Sequence, residues 1–264
     1  MITVILNGYK RLKFLNKQIQ SIKEQTVQAR DIIVWQNNAG QNSKNKIEIE
    51  KTVIHVNSSY NFGVWARFAV ALNSKTEFVC VLDDDTIPGI NWLKNCIDTI
   101  EKKNGLLGTR GVRFASKKEY IVGEEFGWNN PNNEVKQVDI VGHSWFFRRK
   151  WLSVFWRELP EIDTSIYVGE DIHFSYTLQK YLKLKTYVPP HPKNNKSFWG
   201  SNSALAMKIG TDINAISYNN IRTNEMDLCL RSYIKKGFQL NYLSRLKYKG
   251  IYLKTKKRIK KFLI

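Results

Sequence analysis

The sequence predicts an α/β domain: a parallel sheet with helices on its faces, then a less regular second half, then a basic helical extension at the C-terminal end. Three observations carry this. Over the first 105 residues, short apolar runs alternate with segments of helical period, the pattern of repeated β-α-β units. The apolar run at 78–82 leads directly into three adjacent aspartates. The excess positive charge is gathered at the C-terminal end.

Residues 2–6 (Ile-Thr-Val-Ile-Leu) read as the first strand. A helix follows over 12–25, with Leu12, Leu15, Ile19 and Ile22 on one face. Residues 31–35 form the next strand, ending in the polar turn 36–40, and 52–56 a third, leading to the loop 57–63. A helix over 64–72 precedes the strand 78–82, and 92–102 reads as another helix after Pro88. Beyond this point the pattern loosens. Strand-like runs at 106–114, 119–122 and 135–141 are separated by polar loops, with helices expected at 149–156 and from Gly169 to about residue 182. No repeat or long linker interrupts the chain. The expected division is one domain over 1–227 and a basic amphipathic extension over 228–264.

Composition narrows the class. With 42% hydrophobic residues, twelve Tyr, thirteen Phe and eight Trp, the 264-residue chain has material for a packed core, so global disorder is excluded. No run of about 18 apolar residues offers a membrane span. The start of the sequence reads as a core strand, without the basic and small-residue flanks of a signal peptide. Cys80, Cys96 and Cys229 lack metal-ligand spacing and suggest reduced thiols in a cytoplasmic setting. The net charge of +19 is uneven: residues 228–264 hold twelve of the 42 Lys and Arg and no acid, which leaves +7 over the first 227 residues.

Three carboxylates at the end of a buried strand have no packing purpose, and the carboxyl ends of strands are where open α/β sheets bind ligands. Adjacent carboxylates repel, and a divalent cation is the usual way to hold them together. Along an extended backbone Asp83 and Asp85 face the same way and Asp84 the other. A solvated acidic turn is the plainer reading, and the apolar run ahead of the triplet argues against it. The spacing of an EF-hand loop is absent.

Four stretches together resemble the GT-A glycosyltransferases, notably family-2-type enzymes. They are Val4-Ile5-Leu6-Asn7-Gly8-Tyr9-Lys10-Arg11, Asn61-Phe62-Gly63-Val64-Trp65-Ala66-Arg67-Phe68 before Asp83-Asp84-Asp85, Val138 to Arg149 around Gly142-His143-Ser144-Trp145, and Gly169-Glu170-Asp171. The second also resembles exostosin-like transferases. The similarity spans roughly residues 2 to 225. It implies a Rossmann-like nucleotide-binding half, a mixed central sheet and an acceptor-binding half.

The same resemblance implies roles. Asp83 contacts the nucleotide ribose, Asp85 binds Mn²⁺ or Mg²⁺, and Asp84 is shared between them. Asn7, Tyr9, Arg11, Asn38, Asn61 and Arg67 line the nucleotide-sugar pocket. Tyr9 is suited to stacking on a base and Arg11 to meeting phosphate, whereas ordinary loop polarity and a surface helix cation are the plainer readings of Arg11 and Arg67. Asp171 is the general base of an inverting reaction, with Glu170 as its partner at the acceptor hydroxyl or as a mere helix cap. Trp145 offers a face to an acceptor sugar, beside His143, or else is a core tryptophan. His191, fixed between prolines, completes the metal site.

The expected activity is metal-dependent transfer of a sugar from a nucleotide-diphosphate donor, a UDP-sugar by default, to a glycan or lipid-linked glycan hydroxyl. The exostosin-like features leave a retaining outcome open. A sugar nucleotidyltransferase would show a glycine-rich loop after the first strand, which Asn7-Gly8-Tyr9 is not. A nucleic-acid-binding protein would place its basic surface on its functional face, and here the strongest motif is acidic, so no nucleic-acid partner is expected. The tail, with apolar residues among nine Lys and Arg after residue 241, suits a peripheral helix on an anionic membrane surface, or is solvated.

Overall fold

The structure, a computed structural model, describes residues 1–9, 12–37, 49–160, 166–210 and 222–241. Its framework is an eight-stranded mixed sheet. The first half of the chain supplies β1 (Ile2–Gly8), α1 (Leu15–Lys23, entered through a 3₁₀ turn at Leu12–Phe14), β2 (Asp31–Gln36), β3 (Ile54–Asn57), α2 (Ala66–Ala71), β4 (Phe78–Leu82) and α3 (Trp92–Lys102). β3, β2, β1 and β4 lie side by side and all parallel, with Leu6 opposite both Val34 and Leu82. Parallel strands must all end at one edge, so the residues after β1, β2 and β4 are brought together there. The helix 12–25 is shorter than its periodicity suggested, but Leu15, Ile19 and Ile22 are buried as expected.

The second half closes the sheet with β5 (Gly105–Leu107), β8 (Lys136–Val138), β10 (Ser144–Arg148) and β11 (Lys185–Val188), in the order β4-β10-β5-β11-β8. β10 runs antiparallel to β4, with Ser144 opposite Leu82. A separate three-stranded antiparallel sheet contains β7 (Val122–Gly127), β6 (Arg110–Phe114) and β9 (Ile140–Gly142). Two runs expected as single strands are therefore divided between the sheets. The run 106–114 breaks at Gly108, where a Cβ would come within 2.4 Å of Val141 Cβ and 2.5 Å of Ser144 O. The run 135–141 breaks at Asp139, whose buried carboxylate accepts the N–H of Phe114 at 2.7 Å.

Helices α4 (Leu152–Phe155), α5 (Glu170–Leu182), α6 (Ser203–Gly210) and α7 (Thr223–Lys235) complete the described chain. α5 is buried at every position from Ile172 to Leu178, so it lies between the main sheet and other elements instead of on a surface. α7 covers its outer side. Cys229, Leu230 and Tyr233 of α7, with Phe238 and Leu240 after it, share a second apolar cluster with Ile172, Tyr176, Val112, Phe114 and Ile140. The boundary expected between residues 227 and 228 thus falls inside a packed helix. Residues 242–264, with most of the expected basic extension, lie outside the described residues. Among the described residues, no helix is long and apolar enough to cross a membrane.

Candidate functional site

Asp83-Asp84-Asp85 follow β4 at the shared edge, and several bonds fix their backbone. The buried Gln18 of α1 donates from Nε2 to Asp83 O at 2.7 Å and to Thr86 O at 2.8 Å. Asp83 N and Thr86 Oγ1 both donate to His143 O, at 3.1 and 2.8 Å. This last contact follows from the sheet: β10 starts opposite the end of β4, so the residue ahead of β10 stands beside the aspartates.

His143 therefore joins the acidic site. One oxygen each from Asp83 and Asp85 and one imidazole nitrogen from His143 lie within 4.8 Å of one another, while Asp84 is buried outside the cluster. His143 Nδ1 is buried without a hydrogen-bond partner, 3.6 Å from Asp85 Oδ1. An orphaned nitrogen aimed at a carboxylate fits a shared cation, and two carboxylate oxygens with one imidazole nitrogen suit a divalent metal. The expected pairing of Asp83 with Asp85 on one side of the strand end is what the backbone produces.

His191, expected to be the metal histidine, belongs elsewhere. It is wholly buried, its Nδ1 is 2.8 Å from Pro189 O, and its Nε2 accepts the N–H of Gly200 at 3.1 Å. Both nitrogens are engaged in holding the loop, and burial pushes the imidazole pKa down to about 4. It is a neutral structural histidine.

Arg67 occupies the centre of the arrangement. It is 3% exposed, so it is neither a surface cation nor a group open to a nucleotide. Its Nη1 donates to Asp83 Oδ1, its Nη2 to Glu170 Oε1 at 3.1 Å and its Nε to Val64 O at 2.7 Å. Burial opposes its charge, but Asp83 and Glu170 outweigh burial and raise its pKa. The guanidinium carbon lies 4.7 Å from the centre of the Trp145 ring. Trp145 is 2% exposed and packs edge-on against Phe68 as well. The acceptor-facing role expected for Trp145 is thereby corrected: the indole is a core residue beneath Arg67.

Glu170 and Asp171 open α5 after Gly169, whose backbone is left-handed (φ 96°) and whose Cβ position would lie 2.5 Å from Cys229 Sγ. Only glycine suits that position. Glu170 is 7% exposed and turned to Arg67, so it braces the cleft and is not presented to an acceptor. Asp171 is only partly buried and accepts the N–H of Ile172 at 2.7 Å. Burial raises the pKa of both carboxyls, against Arg67 for Glu170 and against the Ile172 N–H, Arg67 and Arg110 for Asp171.

On the other flank, the buried Asn37 donates from Nδ2 to Asn61 Oδ1 at 3.0 Å and accepts the Phe62 N–H at 2.9 Å. Asn61 Nδ2 in turn donates to the Tyr9 hydroxyl at 3.2 Å. Asn61 thus links Asn37 to Tyr9. Asn7 is half-buried at the end of β1, opposite Trp35. Arg11 and Asn38 lie outside the described residues. Gly63 (φ 72°) lets its loop touch the segment before α5, with Val64 N donating to Ile166 O at 2.8 Å. The loop after β3 and the start of α5 are thereby locked together.

Sequence reasoning passed over two residues. Asn37 adjoins the expected Asn38 and carries the amide that organises the loop. Trp128 stacks on His143, with ring centres 4.8 Å apart and planes at 18°, and both residues have positive φ, 41° and 60°. Left-handed backbone at two stacked bulky residues is uncommon and belongs with functional constraint. Its only sequence signal was one large aromatic in an otherwise polar loop.

The family described as Glycosyl transferase family 2 matches residues 3–162. Among solved structures, S. aureus TarS is similar at 17% identity over 72% of this chain and 58% of that one, with a TM-score of 0.47. TarS in complex with UDP is similar at 17% identity, over 72% and 57% of the two chains, with a TM-score of 0.48. The mannosyltransferase PcManGT from Pyrobaculum calidifontis, in complex with GDP-Man and Mn²⁺, is similar at 16% identity, over 74% and 58%, with a TM-score of 0.46. The chain spans less than two thirds of the length of each of these solved chains. No curated protein sequence matches it.

Proposed function

We propose that this chain, which belongs to glycosyl transferase family 2, is a nucleotide-sugar glycosyltransferase that is metal-dependent, inverting, and acts on the hydroxyl of a glycan or lipid-linked glycan. The observation that carries the metal dependence is the orphaned His143 Nδ1 beside Asp85, in a cluster completed by Asp83. These three residues hold the cation, and the nitrogen donor favours Mn²⁺ over Mg²⁺. When bound, such a cation supplies charge neutralisation for the departing diphosphate.

The chain's own residues divide the remaining work. Arg67 fixes the Asp83 carboxylate, leaving it oriented toward the ribose side of the donor. Tyr9, held by Asn61, lines the base side. Asp171 takes the acceptor proton, and the elevated pKa that burial gives it makes it a stronger base than an ordinary aspartate. Glu170 holds Arg67 and so ties the base-bearing helix to the aspartate loop. A UDP-sugar is the first donor to test. A melting-temperature screen of UDP-, GDP-, CMP- and dTDP-sugars with Mn²⁺ tests the reading, because a ligand of the native state raises its melting temperature. One donor class should stabilise the protein with Mn²⁺ and fail with chelator. Stabilisation by none, or equally with chelator, contradicts it.

A further inference from the structure

A cavity of about 500 Å³ opens at the far end of α5, bounded also by β8, β11 and the segment 236–241 after α7. At a helix rise of about 1.5 Å per residue, the cavity's lining on this side runs from Ser175, roughly 6 Å along the axis from Asp171, to Lys183, roughly 18 Å from it, and includes none of the residues of the cleft. The cavity is distinct from the cleft at the other end of the helix.

Its chemistry is cationic at the rim, with polar groups and apolar side chains such as Val138, Leu184, Phe238 and Leu240 within. Lys180, Lys183, Lys185 and Lys236 line it, and all four are exposed. Among the lining residues the one acid, Asp139, is buried and accepts the backbone N–H groups of Phe114 and Asn241. Glu158, outside the lining, pairs with Lys180, which leaves the rim a surplus of positive charge. The floor holds buried hydroxyls, with Thr186 Oγ1 donating to Ser175 Oγ at 3.1 Å. The walls are cross-braced: Gln179 Nε2 donates to Gln239 O at 2.9 Å, and Gln179 Oε1 accepts the Gln239 N–H at 2.7 Å. The sequence runs on from Asn241, at this lip, into 23 residues with nine Lys and Arg and no acid.

We propose that this cavity binds the phosphate group of an anionic ligand, either a lipid headgroup or a soluble phosphate. Like charges gathered around one hollow repel until an anion joins them. Lysine ammoniums act as point charges for phosphate, and hydroxyl and amide groups complete its hydrogen bonding. The volume is that of a small-ligand site. The proposal is independent of the catalytic reading.

The test uses the full chain in EDTA, so that metal-bound phosphate in the cleft does not contribute. Inorganic pyrophosphate is titrated by calorimetry, and co-sedimentation is measured with phosphatidylcholine vesicles with and without phosphatidic acid. The wild type should bind at least one probe. The variant Lys183→Glu/Lys185→Glu should bind at least about tenfold more weakly, and Lys183→Arg/Lys185→Arg should bind as the wild type does. Lys236→Glu, on a different segment, should repeat the loss should the double variant fold poorly. Pyrophosphate binding assigns a soluble anion, and vesicle binding without it a lipid headgroup. Binding of neither probe, or undiminished binding by the charge-reversed variants, overturns the proposal.

Discussion

Nη2 of Arg67 lies 3.1 Å from Oε1 of Glu170, with both side chains buried and the two residues 103 positions apart in the chain. The same guanidinium holds Asp83. One cation therefore connects the aspartate loop after β4 to the first turn of α5, the two segments with which the proposed chemistry is done.

Replacing Arg67 with methionine should destabilise the protein by about 3–5 kcal/mol, the scale for leaving buried charge without its partner. Glu170→Gln alongside it should restore part of that loss, because one orphaned carboxylate is then removed. Urea unfolding of the two single variants and the double gives the coupling. Additive losses would show that the two residues do not act together.

Asp171→Asn should leave the fold and donor affinity nearly intact and lower kcat by about 10² or more. The base must be ionised to work, and burial raises the Asp171 pKa, so the acid limb of the wild-type rate profile should lie above the pH of an ordinary carboxylate, about 3.9. The variant should lack that limb. NMR of the product should show an inverted anomeric centre; retention would remove Asp171 from the base role.

Ending the chain at residue 227 should abolish folding, whereas ending it at 241 should not. The shorter form loses Cys229, Leu230, Tyr233, Phe238 and Leu240 from the second apolar cluster. At about 1.5–3 kcal/mol for each large buried side chain, the loss approaches the whole stability of a domain. Circular dichroism melts of both forms decide this. A folded 1–227 fragment would restore the domain boundary expected from charge alone.

His191 gives a stability signature distinct from any metal role. Its pKa is about 4 in the folded protein against 6.5 unfolded. Between those values the unfolded chain binds a proton that the native protein does not, so stability falls as pH drops through that window. The loss is roughly 3 kcal/mol. A His191→Gln variant should lack this component when melts at pH 7 and pH 4 are compared with the wild type, and an identical pH dependence of the two proteins would contradict it.

The legible parts of the sequence were those with a local cause. Five apolar residues ending in three acids could be placed without tertiary knowledge, and α3 has the bounds its periodicity suggested. β10 was missed because Trp145, Phe146 and Phe147 are all buried, and a strand covered on both faces shows no alternation. Choosing the wrong histidine has the same origin. Only the antiparallel pairing of β10 with β4, between residues far apart in sequence, shows that His143 stands at the aspartates and His191 does not. Arg67 was singled out by its motif, but its burial between two carboxylates is a long-range property.

Mn²⁺ binding followed by electron paramagnetic resonance, with UDP or whichever nucleoside diphosphate binds, tests the central claim most directly. The wild type should remove one Mn²⁺ per chain from the free-ion signal. Asp85→Asn should lose that binding, His143→Ala should weaken it by about tenfold or more, the scale for losing metal-site interactions, and His191→Ala should leave it unchanged under conditions where the variant is folded. Mn²⁺ binding that survives Asp85→Asn undiminished, or that is lost only in His191→Ala, would contradict the site.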